Sequence, residues 1–537
     1  MAAVRVAPNA HPEERTPWAW LAGLTLGALA MRLVALDQQL WYDEMLLAVR
    51  WAPLRLWEIV TTYSSQNQHM LYSVLARISL DLFGESNWAL RLPAVLFGVA
   101  TIPALYFCAR QVTTQRESLL ASALLAVSYH HVWFSQNARG YTGLALWTVV
   151  TTYFFLRGTR ENTLRPWLWY GVTMALGMYT HLTMGFVAAG HFLVALWLIP
   201  KWRRDTEVKA AVLLSRARAG EFKMQPNTYY LMRSPLHVAI LGFTLAGVLT
   251  LALYAPVLPQ VLARTVGQQS SSAMQVQSEW TNPLWLVLET LRGLAAGAGG
   301  AAGYVALPVA GAILLAGLWS YWRQDRSVVG LMVIPGAITA VVMLFLEHNL
   351  WPRFFFFAIG FGMMLLVRGA MLAGDWAQAM ASGQLRREAS QRDLSYKNAA
   401  WGTALVTLMI LASAWSVRSA WIYPKQDFAG ALEFVESQRQ PGEPVALAGL
   451  AVFPYREYHQ RDWPAVATRA ELEAARVPGQ RLWLVYASPI FVESRQPEIW
   501  NAIRTEFDEV RVFRGTMGDG AVYVCRSKGV ETTDEHR

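Results

Sequence analysis

The chain is built around runs of about 20 consecutive apolar residues, the length a helix needs to cross ~30 Å of hydrocarbon. The first is "PWAWLAGLTLGALAMRLVAL" at 17–36, and others follow at 90–109, 118–134, 140–156, 166–181, 183–200, 237–258, 301–322, 327–346, 354–373 and 401–421. Inside lipid every backbone N–H and C=O must find a partner within the protein, and continuous runs of this length do so as helices. The expectation is an α-helical polytopic membrane protein with about 11 transmembrane helices. Composition agrees, with 54% of the 537 residues hydrophobic and only 15% charged, whereas soluble domains carry roughly 25% charge. The net charge of +9 would point to nucleic acid if the basic residues shared a face. They fall in the gaps between apolar runs instead, so no nucleic-acid partner is expected. Cys108 lies in an apolar run and Cys525 in the polar tail, which suits neither a disulfide nor a zinc site.

Two short segments decide the threading. Glu13 and Glu14 beside Arg15 precede the first run, and no small-x-small cleavage site follows it, so it reads as an uncleaved span. The stretch 70–83, "MLYSVLARISLDLF", is too short to span and carries Arg77 and Asp81, which suits a helix lying in the interface. With the N-terminus cytoplasmic, the inner connections 110–117, 157–165, 201–236, 323–326 and 374–400 hold 19 Lys and Arg in 84 residues. The outer ones, 37–89, 135–139, 179–182, 259–300 and 348–353, hold 7 in 110. Cytoplasmic loops attract the positive charge, so this orientation fits, and counting 70–83 as a span would reverse it. The chain then divides into a membrane part, 1–421, and an extracytoplasmic part, 422–537. The latter mixes helix-like "DFAGALEFVESQ" and "PEIWNAIRTEF" with strand-like "PVALAGL", "RLWLVYAS", "EVRVFRG" and "AVYVCRS". That alternation predicts a small α/β domain, and it contains no Gly-rich phosphate loop.

Under this threading the polar residues hardest to explain as loop filler share the outer side. "LWYDEM" supplies Asp43 and Glu44, and "SSQNQHMLYS" supplies His69. "SQNARGY" brings Arg139 and Tyr141, "MYTH" ends in His181, and "EHNLWPRFF" holds His348 and Arg353. Ionisable groups at a bilayer boundary are costly to keep, which makes each a candidate for function. His130 and His131 read as interface residues, and Phe354 to Phe357 as lipid-facing packing.

The order of these motifs resembles the GT-C class of membrane glycosyltransferases. "LWYDE" after the first span, "LFGESNWALRLPAVLFG" entering the second, then "SQNARGYT", "YTH" and a late "PRFF" are similar to the bacterial protein O-mannosyltransferase and aminoarabinose-transferase group, a glycosyltransferase family 39-like set. The likeness is strongest over 17–200 and looser over 237–373. It implies inverting transfer of a sugar from a polyprenyl-phosphate carrier to a lipid, glycan or protein acceptor outside the cytoplasm of a bacterial inner membrane. By resemblance Asp43 is the catalytic carboxylate with Glu44 as its partner, and Arg139 and Arg353 bind phosphate. One departure is "QHMLYS", where relatives carry a Pro-Pro-Leu-Tyr-like stretch after a His or Lys; His69 takes that place here.

The chemistry is consistent with that class on its own terms. A sugar donor outside the cytoplasm must arrive on a carrier that crosses the membrane, and a polyprenyl phosphate leaves its phosphate at the interface. Planar guanidiniums suit such a leaving group because they donate two parallel hydrogen bonds. Displacement at the anomeric carbon needs one base, whereas a retaining route needs a nucleophile and a separate acid/base flanking the sugar. Asp43 and Glu44 are neighbours, which suits a base and its helper. Asp43, Glu44, His69 and His348 also offer oxygen and nitrogen donors to a divalent metal, but their spacing does not require one and none is assigned. A transporter or flippase would be expected to show internal repeats and mid-membrane charges, and neither is evident. A non-catalytic scaffold would tolerate changes in the outer acids.

Overall fold

A computed structural model of the chain describes residues 15–219, 235–265, 301–346, 351–381, 400–517 and 520–528. The first half is a run of helices: α1 (Trp18–Leu33), α2 (Tyr42–Arg50), α3 (Leu56–Thr61), α4 (Met70–Phe83), α5 (Asn87–Ala109), α6 (Gln115–Ala126), α7 (Tyr129–Ser135), α8 (Tyr141–Glu161), α9 (Leu164–Thr180) and α10 (Met184–Arg218). Further helices span Pro235–Tyr254, Ala301–Gln324, Arg326–Phe345, Ile359–Ala381 and Ala400–Ser416. Among the described residues, six helices are long and apolar enough to cross a membrane: Asn87–Ala109, Met184–Val212, Pro235–Arg264, Arg326–Phe345, Pro352–Ala381 and Ala400–Ile422. The protein is thus a polytopic, α-helical membrane protein, although that measure does not reach eleven spans.

One expected span is broken. The apolar run 118–134 divides at Val127 and Ser128, where the backbone leaves the helical region between α6 and α7. Twelve residues of α6 rise only ~18 Å, short of the hydrocarbon thickness. Arg32 of α1 accounts for the break locally. Its guanidinium is fully buried and donates to the carbonyl of Ala126 at 3.0 Å and to Ser135 Oγ at 3.0 Å, and it meets His131 Nδ1 at 2.6 Å. A carbonyl released at the end of α6 is thereby satisfied by a side chain rather than by the next helical turn. His131 is accordingly buried rather than interfacial, and Phe356 and Phe357 are buried against the bundle, not exposed to lipid.

Helix entrances follow their sequences. Thr114 and Glu117 cap α6 reciprocally, Thr114 Oγ1 accepting from the Glu117 N–H and Glu117 Oε2 from the Thr114 N–H. Asp427 Oδ1 accepts from the Gly430 N–H and starts the helix Phe428–Gln438. The bundle core draws on α5, α6, α8, α9 and α10 together with 326–345 and 359–381, while large apolar side chains such as Leu315, Val341, Leu408 and Trp415 stay exposed on the outer surface, as lipid-facing residues do.

The C-terminal part carries a four-stranded sheet of β1 (Val445–Gly449), β2 (Trp483–Ala487), β3 (Phe507–Phe513) and β4 (Val522–Ser527), ordered β1-β2-β4-β3. β1 and β2 are parallel, and β4 runs antiparallel to both β2 and β3. Alternation of side chains splits β1 between two cores. Ala446 and Ala448 face Ile499 and Ala502 of the helix Pro497–Glu506. Val445 and Leu447 join a cluster with Leu40, Met45, Leu46 and Trp51 from the first loop. One face of the sheet is therefore continuous with the apolar packing around α2.

Candidate active site

The acidic pair is parted by helix geometry. α2 begins at Tyr42, so Asp43 and Glu44 sit in its first turn and point about 100° apart. Glu44 turns inward and is completely buried. Arg91 of α5 grips it bidentately, Nε to Oε1 at 2.7 Å and Nη2 to Oε2 at 2.6 Å. The Ala138 N–H donates to Oε1 at 2.6 Å and the Trp41 N–H to Oε2 at 3.3 Å. Lys425 Nζ lies 4.0 Å from Oε2. Burial alone would raise the Glu44 carboxyl, but Arg91, Lys425 and these hydrogen bonds outweigh it and hold it below the ordinary range. Arg91 spends its remaining donors on the carbonyls of Leu36, Gln38 and Gln39. A single buried ion pair thus ties the segment leading into α2, the start of α2 and the "SQNARG" turn together.

Asp43 faces the other way, toward two guanidiniums. Arg353 Nη1 donates to its Oδ2 at 3.3 Å, and Arg139 Nη2 lies 3.9 Å from the same oxygen. Arg139 is fixed by the Asn67 carbonyl, to which its Nη1 donates at 2.7 Å. Arg353 is flanked by the rings of Trp351 and Phe354, with its carbon 5.2 Å and 6.0 Å from their centroids. The Nε of each arginine is buried without a hydrogen-bond partner among the described residues. Each group leaves donor capacity unused beside one carboxylate.

His69 completes this wall. Its Nδ1 accepts from the Gly140 N–H at 2.7 Å, which places the proton of the neutral ring on Nε2, 3.4 Å from Arg139 Nη2. Burial, then Arg139, His181 and Arg353, hold its pKa well below the usual imidazole range, so the ring is neutral at physiological pH. The Nε2–H and the guanidinium are both donors and converge on the same space. Gly140 makes the approach possible: a Cβ there would stand 2.9 Å from the Thr180 carbonyl and 3.0 Å from His69 Nδ1. Tyr141 and His181 pack on the same imidazole, their rings 5.5 Å and 4.4 Å from it.

Six of the eight residues singled out in the sequence therefore meet: Asp43, His69, Arg139, Tyr141, His181 and Arg353. Glu44 lies behind Asp43, turned to Arg91. His348 lies outside the described residues. Of the donors considered for a divalent metal, Glu44 is consumed by its own contacts, and no group of three or more His, Cys, Asp or Glu gathers among the described residues. Sequence reasoning missed Arg91 and Lys425. Arg91 sits within the run opening α5, where an arginine reads as a helix-end anchor, though its interruption of "NWALRLPAVLFG" was a signal. Lys425 lies past the last span and carried none.

The helical membrane part and C-terminal sheet together form a GT-C-like architecture. Residues 68–217 match the family model described as dolichyl-phosphate-mannose-protein mannosyltransferase. That segment contains His69, Arg139, Tyr141 and His181, but neither Asp43 nor Arg353. The oligosaccharyltransferase AglB from Archaeoglobus fulgidus superposes with a TM-score of 0.51 at 12% identity, over 94% of this chain and 74% of that one. ArnT from Cupriavidus metallidurans, solved with undecaprenyl phosphate, aligns over 96% of this chain and 99% of that one at 13% identity and a TM-score of 0.46. The Pmt1-Pmt2 complex of S. cerevisiae, bound to its sugar donor, aligns over 49% of this chain and 36% of that one, at 14% identity and 0.34. No curated protein matches the chain in sequence. The chain is similar to the GT-C class of membrane glycosyltransferases, as its motifs implied.

Proposed function

We propose that this protein is an inverting glycosyltransferase that moves a sugar from a polyprenyl-phosphate carrier to a lipid, glycan or protein acceptor on the extracytoplasmic side. The observation that carries the reading is the meeting of Asp43 with Arg139 and Arg353, residues 96 and 310 positions apart in sequence. Asp43 is the base. It takes the acceptor hydroxyl proton as the acceptor oxygen bonds to the anomeric carbon, while the bond from that carbon to the phosphate oxygen breaks. Arg139, Arg353 and the His69 Nε2–H bind the phosphate, and Tyr141 and His181 hold His69 in place.

Charge supports this division of labour. The donor phosphodiester carries one negative charge and Asp43 another, matched by two guanidiniums. After transfer Asp43 is neutral and the carrier is a phosphate that can hold two charges, again matched by the same pair. Charge thus moves within the site without leaving it unbalanced, which keeps the reorganisation small. Arg353 now engages Asp43. An arriving phosphate competes for that guanidinium and frees the Asp43 carboxylate to meet the acceptor hydroxyl as the donor binds. Glu44 acts through position, anchoring the first turn of α2 from behind. The distribution of Lys and Arg between connections supports the extracytoplasmic assignment.

The test is mass spectrometry of lipids that co-purify with the Asp43→Asn protein. A polyprenyl-phosphate sugar enriched over wild type is expected, because binding survives and turnover does not. Full transfer activity in that variant, with the identified donor, overturns the reading.

A further inference from the structure

We infer that Lys425, Gln426 and Asp427, just beyond the last apolar helix, form a positioning strap that holds α2 and its carboxylates in register, making the C-terminal domain a working part of the transfer site. The inference rests on the transferase reading above and adds residues outside the set that meets substrate.

Each strap residue makes a different contact with the catalytic loop. Gln426 Oε1 accepts from the Tyr42 N–H at 3.0 Å, one of the free donors at the start of α2, immediately before Asp43. Its Nε2 donates to the Gly520 carbonyl at 3.2 Å, next to β4. Asp427 Oδ1 accepts from Gln39 Nε2 at 2.7 Å, and Gln39 Oε1 accepts from the Ala429 N–H at 2.9 Å. Lys425 reaches deepest. It is buried, donates to the Gln136 carbonyl at 2.5 Å, and lies 5.5 Å from the centroid of Trp133 and 4.0 Å from Glu44. Three consecutive residues thus grip the segment before α2, the first turn of α2 and the turn that carries Arg139.

An appended domain has no need of a buried lysine in the membrane part's charge network. A lone ammonium in that position costs several kcal/mol of desolvation, and it is tolerated because Glu44 and a backbone carbonyl face it. Its charged neighbours are Glu44 and Arg91; burial, then Arg91, lower its pKa to about 7 against the opposing pull of Glu44. Met45, Leu46 and Trp51 of the same segment belong to the apolar cluster that includes one face of the sheet, and the Tyr42 ring meets Phe453 at 5.7 Å, so the strap is the polar edge of a larger docking contact.

The full-length protein in lipid nanodiscs tests this with Lys425→Met, Lys425→Arg and Gln426→Ala. Amide hydrogen exchange is read separately for residues 42–46 and for β1–β4, alongside turnover and affinity for undecaprenyl phosphate as the probe. The strap predicts exchange in 42–46 about tenfold faster in Lys425→Met and Gln426→Ala, with β1–β4 still protected. Turnover falls about 10–100-fold, the effect of a misplacement near 1 Å, while undecaprenyl phosphate affinity stays within about twofold. Lys425→Arg recovers part of the turnover. Unchanged exchange and turnover in both Lys425→Met and Gln426→Ala overturn the inference, as does loss of protection across β1–β4 together with α2. If wild type transfers no sugar yet α2 alone loosens in the variants, the strap stands and the transferase reading fails.

Discussion

Replacing Glu44 with Gln removes one charge with almost no change of shape, so its effect can be worked out from the contacts of the carboxylate. That group accepts two hydrogen bonds from Arg91 and two from backbone N–H groups, with Lys425 alongside. A Gln can accept with one atom only, so its amide nitrogen must face a donor, either Arg91 or the backbone. Arg91 is then left as a buried cation without its counter-charge, and Lys425, already lowered to about 7, loses the one neighbour that favoured its charged form. Breaking a fully buried pair by removing one partner costs about 3–5 kcal/mol, and that range is expected here. The pH dependence sharpens the test. The folded carboxyl lies below its ordinary 4.5. The stability it supplies is therefore fully present above pH 4.5 and drains away as pH falls through the folded value. Thermal unfolding of detergent-solubilised protein, followed across that range, should show an acid limb in wild type that is smaller in Glu44→Gln. In a double-mutant cycle, Arg91→Met should cost less in the Glu44→Gln background than it does alone, with a coupling of about 1–3 kcal/mol. A Glu44→Gln protein within about 0.5 kcal/mol of wild type, or one with an undiminished acid limb, refutes the assignment of Glu44 as the anchor of α2.

Other expectations are independent of that pair. Arg139→Ala and Arg353→Ala should each weaken undecaprenyl phosphate binding by about tenfold or more, since each removes a charged donor worth roughly 1.5–3 kcal/mol, and isothermal titration in detergent measures it. Unchanged affinity in both would make them membrane anchors. Gly140→Ala should cost about 1–3 kcal/mol by overpacking and push His69 from its bond to the Gly140 N–H, seen as a lower unfolding temperature together with weaker lipid binding.

Much of this architecture was legible because membranes impose simple rules. Apolar runs marked most helices, and in the tail the stretches "PVALAGL", "RLWLVYAS", "EVRVFRG" and "AVYVCRS" all became strands. Asp43, Arg139 and Arg353 stood out because ionisable groups at a membrane boundary need a reason. What stayed hidden depends on partners distant in sequence. Arg32 sits in an apolar run and looks like an incidental charge until the Ala126 carbonyl is placed beside it. Nothing local in "VSYHH" requires the break at Ser128. Glu44 is chemically like Asp43, and only helix rotation and Arg91 separate their tasks. Lys425 lies 381 positions after Glu44, and no periodicity encodes that approach.

The most direct test of the site is a paired measurement on Asp43→Asn: the rate of sugar transfer and the affinity for undecaprenyl phosphate, both against wild type. With Asp43 as the base, the rate should be lower by about 10²–10⁴-fold, the usual contribution of a positioned base. Affinity should be equal to or tighter than wild type, because the phosphate no longer competes with a carboxylate for Arg353. Wild-type transfer, or loss of lipid binding together with activity, would contradict that role.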